Sequence, residues 1–538
     1  MSDKNKITRR QFSKDTAIVV GTGAAATGVL GSFTPPTAEA APVPKKWDQE
    51  ADVIVVGSGP TGLPAAISAV EKGASVIVLE QGKEVGGCGV IAGGILDLGG
   101  GTRIQKLNNI PDSLQHLFER RSDYKDRNNK RNDPALIRAW CDANPGTFDW
   151  MEQRGVRFMN NLSPSGGSGA LHTSVYHYLF VEKEGPGVAF FKSPEGVTSG
   201  AGLIRPLEAY AKNKGVKILL EHKMTRIIRK GGATGRVLGV EVQAGRRKLY
   251  FKGKKAVILG TGSWKGNRFF RKLFDPRITD DLKASGEPFV NADGSGIRAG
   301  LEVGAALVSD RAIDIALFRR KFGTKHYNFP LNSPYGAPGL DIHGSRMADA
   351  IIVNKSGMRF VNEQDIGSFG TYSYFDASLA QEDHVLWTIF DDSAAKKYKW
   401  DINPPVTEKD CAFSAPTLVE LAKLINVPGD ALAGTVRKYN TYVDEGKDLD
   451  FDKPKNLLKS KIETPPFFAV WISLFVHDTC GGLAVNAKCQ VLDIDGKVIP
   501  GLYAGGEAAG GLDVIGMPRG IIMGRFAGEN AAAEKPAP

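Results

Sequence analysis

A glycine-rich loop near residue 60 has the spacing that binds the pyrophosphate of a dinucleotide. Residues 57–62 read GSGPTG and fit the pattern G-x-G-x-x-G. Gly57 allows a tight turn, Gly59 lets the backbone approach the phosphates, and Gly62 lets the next helix pack closely. Glu80 lies eighteen residues after Gly62, where its carboxylate can accept hydrogen bonds from a ribose diol. The chemistry predicted here is the binding of a dinucleotide cofactor.

The segments on either side of this loop form the elements that must position it. Residues 51–56 are a short apolar run, typical of a buried parallel strand. Apolar residues then recur at helical spacing, and residues 75–79 form a second strand that ends at Glu80. The N-terminus of the helix faces the negative charge of the phosphates. The sequence therefore predicts a Rossmann-like α/β domain.

Two further glycine-rich segments favour FAD over NAD. Residues 81–94, QGKEVGGCGVIAGG, resemble the second glycine cluster of flavoproteins in the fumarate reductase and 3-ketosteroid dehydrogenase superfamily. Residues 501–507, GLYAGGE, resemble the segment of that superfamily whose glutamate, here Glu507, meets the ribitol of the flavin. The resemblance implies that FAD is the cofactor and that its contacts are Gly57, Gly59, Pro60, Thr61, Gly62, Glu80, Gln81, Gly86, Gly87, Cys88, Ala92, Gly93, Gly94, Met224, Thr261, Gly262, Gly506, Glu507, Ile521 and Ile522.

The resemblance extends over residues 49–533. It is carried further by the segments VILGTGS at 257–263, RFVNE at 359–363, FDDS at 390–393, HDTCGG at 477–482 and GRFAGEN at 524–530. Overall the chain looks most like soluble periplasmic flavocytochrome c fumarate reductases, without their haem domain. Considered alone, RFVNE has an alternative interpretation as a strand end and turn, and GRFAGEN as a core helix.

The resemblance also implies a domain organisation. An FAD-binding domain at 49–312 resumes at 468–533 after an inserted α+β capping domain at 313–467. Such a cap closes over the flavin and excludes water.

Two side chains are candidates for stabilising negative charge on a substrate oxygen. His477 belongs to the H-x-T-x-GG segment, and Arg519, in GMPRG, is placed like the N-R-x-GG arginine of the fumarate reductases. Hydride arriving from flavin N5 on an activated alkene develops charge on its carbonyl or carboxylate oxygen, which such donors stabilise. The alternative for Arg519 is a surface or FAD-contacting residue.

The proton donor departs from the fumarate reductase pattern. Those enzymes carry an arginine a few residues after RFVNE, and none occurs at 364–374 here. A second family histidine also lacks a counterpart at 314–318. Tyr372 or Tyr374 is the predicted donor, as in ketosteroid dehydrogenases, with cap packing as the alternative. Arg346 falls where the reductases have a proton-relay arginine.

These departures predict a site poorly suited to a small dicarboxylate. Residues 176–178, YHY, either line the substrate pocket or belong to an ordinary half-buried strand.

Composition excludes several other classes of protein. The 538 residues are 42% hydrophobic and 24% charged, as in ordinary globular chains of two or more domains. The net charge of +10 fits anionic substrates or an acidic electron-transfer partner, or is incidental. Basic runs interleaved with aromatic residues are lacking, so we expect no nucleic-acid binding. Five cysteines without a C-x-x-C pair predict neither a metal site nor haem attachment.

The start of the chain resembles a twin-arginine export signal. Residues 8–14 read TRRQFSK, a weakly apolar stretch follows at 16–33, and residues 38–40, AEA, form a small-x-small cleavage site. The alternative is a membrane anchor. We expect residues 1–40 to be a signal peptide and the mature protein to be periplasmic, without stable membrane insertion after cleavage.

Three functions remain open at this point. The first is reduction of an activated alkene, an unsaturated acid, enone or aryl enoate, with electrons from a separate periplasmic carrier such as a c-type cytochrome. The second is a dehydrogenase that introduces a C=C bond into a cyclic ketone or steroid. The third is a non-catalytic flavin electron-carrier subunit.

Overall fold

The computed structural model describes residues 43–122, 132–164, 175–182, 192–193, 196–197, 199–231, 234–280, 282–284, 292–308, 313–318, 348–363, 377–398, 412–514 and 516–537. These residues belong to one compact unit, Ala40–Pro538. In the part of the chain that is described, no helix is both long and apolar enough to cross a membrane.

The described strands fall into one large mixed sheet, a second sheet, a three-stranded sheet and two short pairs. In chain order they are β1 Gln49–Val56, β2 Val76–Leu79, β3 Ile95–Leu98, β4 Phe158–Pro164, β5 Val175–Leu179, β6 Lys192–Ser193, β7 Gly196–Val197, β8 Lys217–Leu219, β9 His222–Arg229, β10 Val237–Ala244, β11 Arg247–Leu259, β12 Lys283–Ala284, β13 Leu307–Val308, β14 Ile313–Phe318, β15 Ile351–Asn354, β16 Leu386–Asp391, β17 Ala412–Ala415, β18 Phe467–Thr479, β19 Gly482–Leu483, β20 Gln490–Leu492 and β21 Val498–Ala504.

Some of the described helices cover the large sheet, and others lie within residues 313–467, the predicted cap. They are α1 Gly62–Glu71, α2 Gly87–Val90, α3 Arg103–Leu107, α4 Leu114–Ser122, α5 Pro134–Glu152, α6 Ala201–Asn213, α7 Arg268–Phe274, α8 Ser295–Glu302, α9 Asp392–Tyr398, α10 Leu418–Leu424, α11 Gly429–Glu445 and α12 Met517–Ala533. Short 3₁₀ turns lie at Glu382–His384, Lys455–Leu457 and Gly506–Ala508.

The large sheet has β1 near its centre. Its main order is β20-β21-β11-β1-β2-β8, and β1 pairs in parallel with both β2 and β11. Val53, Ile54 and Val55 are fully buried, as expected for a parallel strand covered on both faces. The mixed sheet with its flanking helices confirms the predicted Rossmann-like α/β class.

Helix α12 packs on α1 through glycines spaced four residues apart. A Cβ at Gly524 would lie 2.2 Å from the carbonyl oxygen of Thr61, and one at Gly528 would lie 2.2 Å from that of Ala65. The missing side chains let the two backbones touch. The interpretation of GRFAGEN as part of a core helix is therefore correct.

The second sheet is organised around β18. This strand pairs antiparallel with β14, β16 and β17, and in parallel with β12. A separate apolar core lies on the side of β15 and β16, where β15 contributes Ile351, helix α10 contributes Leu421 and helix α11 contributes Tyr439. Strand β18 thus connects the second sheet to residues 480–482, which directly follow the strand in the chain.

Candidate active site

The glycine loop after β1 is shaped by backbone contacts. Gly57 has φ of +96°, and a Cβ there would lie 2.3 Å from the oxygen of Gly260. A Cβ at Gly62 would lie 1.8 Å from the oxygen of Gly57. These two positions therefore exclude every side chain, as the G-x-G-x-x-G pattern predicts.

Other glycines of the predicted cofactor set face open space. A Cβ at Gly59 would meet only the oxygen of Gly86 within 4 Å, at 3.5 Å, and one at Gly87 or Gly262 would meet nothing. Protein packing therefore does not require glycine at Gly59, whereas a closely approaching ligand does. Gly87 and Gly262 have φ of +50° and +73°, a backbone conformation that itself favours glycine. The hydroxyl of Thr261, in the loop after β11, is buried without a hydrogen-bond partner and lies against Gly296. The residues present fit FAD.

Glu80 sits at the end of β2, as predicted, and braces the loop. Its Oε2 accepts hydrogen bonds from the Ser58 amide at 3.0 Å and the Ser58 hydroxyl at 2.6 Å, and its Oε1 accepts one from the Gly82 amide at 2.7 Å. The Ser58 hydroxyl in turn accepts a bond from the amide of Gly86 at 3.1 Å. A carboxylate oxygen can accept two bonds, so Oε1 retains capacity for a ribose hydroxyl.

The chain returns to this loop through β21, far along the sequence. Strand β21 pairs in parallel with β11, and the Gly505 amide donates to the carbonyl of Leu259 at 3.2 Å. A Cβ at Gly506 would lie 2.3 Å from the hydroxyl of Thr61. The structure thus brings together the predicted segments 57–62, 86–87, 261–262 and 506–507.

The remaining predicted contacts lie around the same loops. Pro60 packs so closely on Gly89 that a Cβ there would lie 2.5 Å from its Cγ. Met224 is buried in β9, and Ile521 and Ile522 are fully buried in α12. Gln81 directly follows Glu80. Cys88 lies in the short helix α2, and Ala92, Gly93 and Gly94 follow that helix. That each of these residues contacts FAD stays a prediction.

Glu507 reaches across to the end of β18. Its Oε1 accepts hydrogen bonds from the Thr479 amide at 2.8 Å and from the Thr479 hydroxyl at 3.3 Å. The Thr479 hydroxyl also lies 3.0 Å from that of Ser263. This network ties the loop after β11, the GLYAGGE segment and the HDTCGG segment into one site.

Two charged residues of this network were not found from the sequence. Burial raises the pKa of the Glu507 carboxyl; the Lys265 charge opposes this shift and the Asp478 charge adds to it. Lys265 is itself buried, at 3% exposure. A lysine directly after Ser263 and Trp264 was the available signal, because a charge is unexpected in a glycine-rich loop that follows a buried strand.

Arg519 lies in the first turn of α12 and is 2% exposed, so a surface position is excluded. Its guanidinium donates to the carbonyl of Thr479 at 3.0 Å, to that of Cys480 at 3.2 Å and to that of Ala509. Its Nε is buried without a partner. In this geometry Arg519 holds the turn that follows His477.

The other catalytic candidates are less well defined. His477 lies in β18, two residues before Thr479; only its backbone position is described. Arg346, Tyr372 and Tyr374 lie outside the described residues. Their roles stay predictions.

His177 is a core residue. It is fully buried in β5, bonded through Nε2 to the Thr102 hydroxyl at 2.7 Å, and packed against Phe148 and Phe158. The structure thus makes His177 a core residue of an ordinary strand and not a pocket lining; for Tyr176 and Tyr178 both interpretations stay predictions.

The RFVNE segment forms a buried ion network. Arg359 Nε donates to Glu363 at 2.7 Å, and its Nη2 donates to Asp448 at 2.8 Å. Lys453 lies 3.5 Å from Glu363 and also donates to the hydroxyl of Tyr439 at 3.2 Å. Burial acts to raise the pKa of Glu363, but the Lys453 and Arg359 charges outweigh it and lower that pKa. The network fixes the start of the segment that carries the tyrosine candidates.

The described cysteines Cys88, Cys141, Cys480 and Cys489 form no disulfide bond with one another. Burial raises the pKa of Cys141 and of Cys489 to about 12, so neither is a thiolate near neutral pH. Among the described residues no cluster of histidine, cysteine and carboxylate side chains fits a metal ion.

Comparison with known proteins places this geometry in a family. The sequence profile of the FAD binding domain family matches residues 52–517. The chain is 30% identical to "Fumarate reductase (cytochrome)" of Shewanella frigidimarina over 495 residues, covering 89% of this chain and 77% of that protein. It is 28% identical to the urocanate reductase of Eggerthella lenta, covering 91% and 76% of the two chains.

A solved structure leads to the same assignment. The 3-ketosteroid-Δ4-(5α)-dehydrogenase of Rhodococcus jostii RHA1 superimposes with a TM-score of 0.71 at 25% identity, over 92% of this chain and 99% of that one. With FAD as its cofactor and oxidoreductases of CH–CH bonds as its relatives, the chain belongs to the FAD binding domain family of flavin-dependent oxidoreductases.

Proposed function

We propose that the protein reduces an activated carbon–carbon double bond and works as an exported enzyme. The observation that carries the proposal is the turn after His477: Arg519 clamps its carbonyls, Glu507 binds its Thr479 amide, and the open glycine cradle belongs to the same set of joined loops. When bound, FAD supplies hydride to the β-carbon of the alkene.

The chain's own residues then bind, orient and protonate the substrate. His477 donates to the substrate oxygen on which charge develops. Arg519 adds positive charge behind that turn and keeps it in place. Tyr372 or Tyr374 delivers the proton to the α-carbon, with Arg346 as the alternative donor. Residues 313–467 act as the cap that excludes water from the 49–312 and 468–533 domain.

The substrate class follows from the segment after Glu363. A small dicarboxylate needs permanent positive charge on both of its ends, and residues 364–374 contain no arginine. A tyrosine donor fits a bulkier and less charged acceptor, such as an enone or an aryl enoate. The relatives include reductases named for fumarate and for urocanate, an aryl enoate.

A steady-state panel tests this substrate class. Methyl viologen radical serves as the electron donor, and fumarate, urocanate, cinnamate and 2-cyclohexenone serve as acceptors. We expect cinnamate, urocanate or the enone to turn over faster than fumarate. Equal or faster turnover of fumarate would refute the assignment.

Export and an external electron source complete the proposal. The twin-arginine motif at 8–14 delivers folded proteins, which suits a flavin loaded before export. A reductase in the periplasm then draws electrons from a separate carrier, such as a c-type cytochrome.

A second candidate runs the same chemistry in reverse. The structural similarity to a 3-ketosteroid dehydrogenase and the absence of the reductase arginine favour a dehydrogenase of a cyclic ketone or steroid. A non-catalytic carrier subunit is disfavoured, because it would not need Arg519 and Glu507 built around the turn after His477.

A further inference from the structure

Helix α7 presents an apolar pair to solvent. Phe269 is 71% exposed and Leu273 is 50% exposed, and the four-residue spacing puts them on one face of the helix. Among the phenylalanines whose burial is described, Phe269 alone is exposed. Single exposed apolar side chains are common on protein surfaces. Two adjacent ones that include a large aromatic side chain form an apolar patch, a feature that indicates an interaction site.

Basic side chains flank the pair on the same helix. The side chain of Arg268 is 67% exposed and that of Lys272 is 60% exposed. Both reach towards Asp280, at 3.7 and 3.9 Å, but such long, exposed ion pairs are weak and leave most of the positive field in place. An apolar centre with a charged rim is the usual anatomy of a protein docking site.

The patch continues inward as a column of aromatic rings. The ring centroids of Phe269 and Phe270 are 5.9 Å apart, those of Phe270 and Phe274 are 6.3 Å apart, and Phe274 stacks on Trp264 at 4.3 Å. Beyond Phe269, these rings are buried.

The inner end of the column reaches the candidate active site. Nε1 of Trp264 donates to the carbonyl of Gly481 at 3.0 Å. Gly481 directly follows Thr479 and Cys480, whose carbonyls Arg519 holds. The column therefore joins the exposed patch to the turn expected beside the flavin, without a solvent gap.

We propose that Phe269 and Leu273, with Arg268 and Lys272 around them, form the docking site of an acidic one-electron carrier protein. The aromatic column is the packed path along which its electrons reach the flavin. Two reduced carriers are each oxidised by one electron, and these two electrons with one proton from solvent convert FAD to FADH⁻. This inference rests on the proposed function only in requiring an external electron donor.

Size and charge both fit such a partner. Electron-transfer encounters use small interfaces, below about 1,200 Å². Opposite charge speeds such encounters by steering, and the whole chain carries a net charge of +10. The inward aromatic column distinguishes this face from a site that merely binds an anionic membrane.

The test measures reduction of FAD alone, with no alkene present. The probe is fully reduced flavodoxin, an acidic one-electron carrier, mixed anaerobically with the holoenzyme in a stopped-flow instrument. We expect Arg268→Glu with Lys272→Glu to lower the second-order rate by about tenfold or more at low salt and to flatten its ionic-strength dependence. Titration calorimetry should show weaker flavodoxin binding, and Phe269→Ala should weaken binding without changing the salt dependence.

A matched charge reversal controls for net charge. Arg246→Glu with Arg247→Glu changes the same total charge at exposed positions at the start of β11. At the usual rise per residue of a strand, Arg247 lies about 40 Å from Leu259. The loop after Leu259 leads to helix α7, so the control is remote from the patch along β11. We expect the control to retain most of the wild-type rate, and methyl viologen radical to reduce all the variants alike.

The column has its own readout. Phe274→Leu keeps an apolar side chain but removes the stacked ring. We expect unchanged flavodoxin affinity and a lower limiting rate at saturating carrier. An unchanged limiting rate would overturn the path.

Several results would overturn the docking site. The first is a wild-type rate of FAD reduction by flavodoxin in the Arg268 and Lys272 variant. The second is an equal loss of that rate in the Arg246 and Arg247 control. The third is a wild-type enzyme whose FAD is reduced by methyl viologen but not by flavodoxin. If the Arg268 and Lys272 variant lost binding to phosphatidylglycerol vesicles but kept the wild-type flavodoxin kinetics, the patch would be a membrane-binding site instead. An enzyme reduced as expected that then fails to react with any alkene would instead count against the proposed function.

Discussion

At the scale of single residues, the site depends on side chains whose partners are backbone groups. Arg519 donates to carbonyls, Glu507 accepts from the amide of Thr479, and Glu80 accepts from the amides of Ser58 and Gly82. A substitution at these positions changes the shape of a loop as well as a charge. Each test therefore needs a control that separates the two effects.

Replacing Arg519 with alanine should lower turnover by about a hundredfold or more while FAD stays bound, because the turn after His477 loses its clamp and its charge. Arg519→Lys should recover part of the loss, since it keeps the charge but not the planar fork. The control is Arg525→Ala, on the same helix, where the side chain donates to the Thr147 hydroxyl at 2.6 Å. Turnover and the absorbance ratio of flavin to protein are measured together. Equal losses in the two alanine variants would mean that the helix, not the site, was damaged.

Replacing Glu80 with alanine should release FAD without unfolding the protein. The carboxylate accepts hydrogen bonds from Ser58 and Gly82, which holds these two loop segments together. Its Oε1 can still accept a bond from a ribose hydroxyl. Glu84→Ala is the matched control, because the Glu84 side chain is 62% exposed and pairs only with Arg205 among the ion pairs resolved. Mass spectrometry of the released cofactor and circular dichroism give the readouts. Release of FMN or NAD from the wild type would contradict the FAD assignment.

Residue-level prediction succeeded where a pattern is local. The positions of Gly57, Gly59 and Gly62 follow from spacing along a single turn, and the structure agrees with the backbone packing roles of Gly57 and Gly62. Lys265 was missed because it meets Glu507 across more than 200 residues of chain, and Asp478 because it meets Glu507 from a different strand. Spacing along the sequence does not encode such a meeting.

At the scale of elements, an ion network of Glu363, Arg359, Lys453 and Asp448 ties the RFVNE segment to residues 448–453. Glu363→Gln leaves two buried cations without their shared anion and should cost about 3 kcal/mol or more in the free energy of unfolding. The control is Glu382→Gln, which weakens a solvent-screened, exposed pair with Lys355 and should change the free energy of unfolding little. Denaturant unfolding measures both. A loss at Glu363 no larger than at Glu382 would show that the network is dispensable.

The same network predicts acid sensitivity. The pKa values of Glu363 and Asp448 are lowered in the folded protein: burial acts against the shift, and the neighbouring cations outweigh it. Their stabilisation is therefore present above the ordinary carboxyl pKa and is lost as pH falls below about 4, through the folded-state values. The free energy of unfolding of wild type should fall more steeply with acid than that of Glu363→Gln. Parallel pH curves would contradict this reasoning.

Element types were predictable, but the joints between them were less so. The strand–helix–strand unit of β1, α1 and β2 follows from apolar runs that end in glycine and glutamate. Strand β18 begins at the predicted boundary at 467/468 and yet pairs with β14 and β16, which lie in the predicted cap; sequence alone does not show which strands a long apolar segment will join.

At the scale of the whole molecule, the chain combines a predicted export signal, a basic net charge and a flavin fold. Replacing Arg9 and Arg10 together with lysine should leave the precursor in the cytoplasm, because the twin-arginine route requires that pair. Cell fractionation followed by flavin fluorescence and immunoblotting measures this. Lys4→Arg with Lys6→Arg keeps the charge and serves as the control. Normal export of the double lysine variant would disprove the signal assignment.

The central claim is that the reduced enzyme passes hydride to an activated alkene. The most direct measurement is an anaerobic single turnover: FAD is photoreduced in the enzyme, mixed with cinnamate, urocanate or 2-cyclohexenone, and followed by flavin absorbance and product analysis. The account predicts reoxidation by at least one acceptor with one saturated product per FAD, much slower in His477→Ala although FAD stays bound. Reduced enzyme that none of these acceptors reoxidises, together with oxidised enzyme that a saturated 3-ketosteroid reduces, would contradict it and establish the dehydrogenase direction.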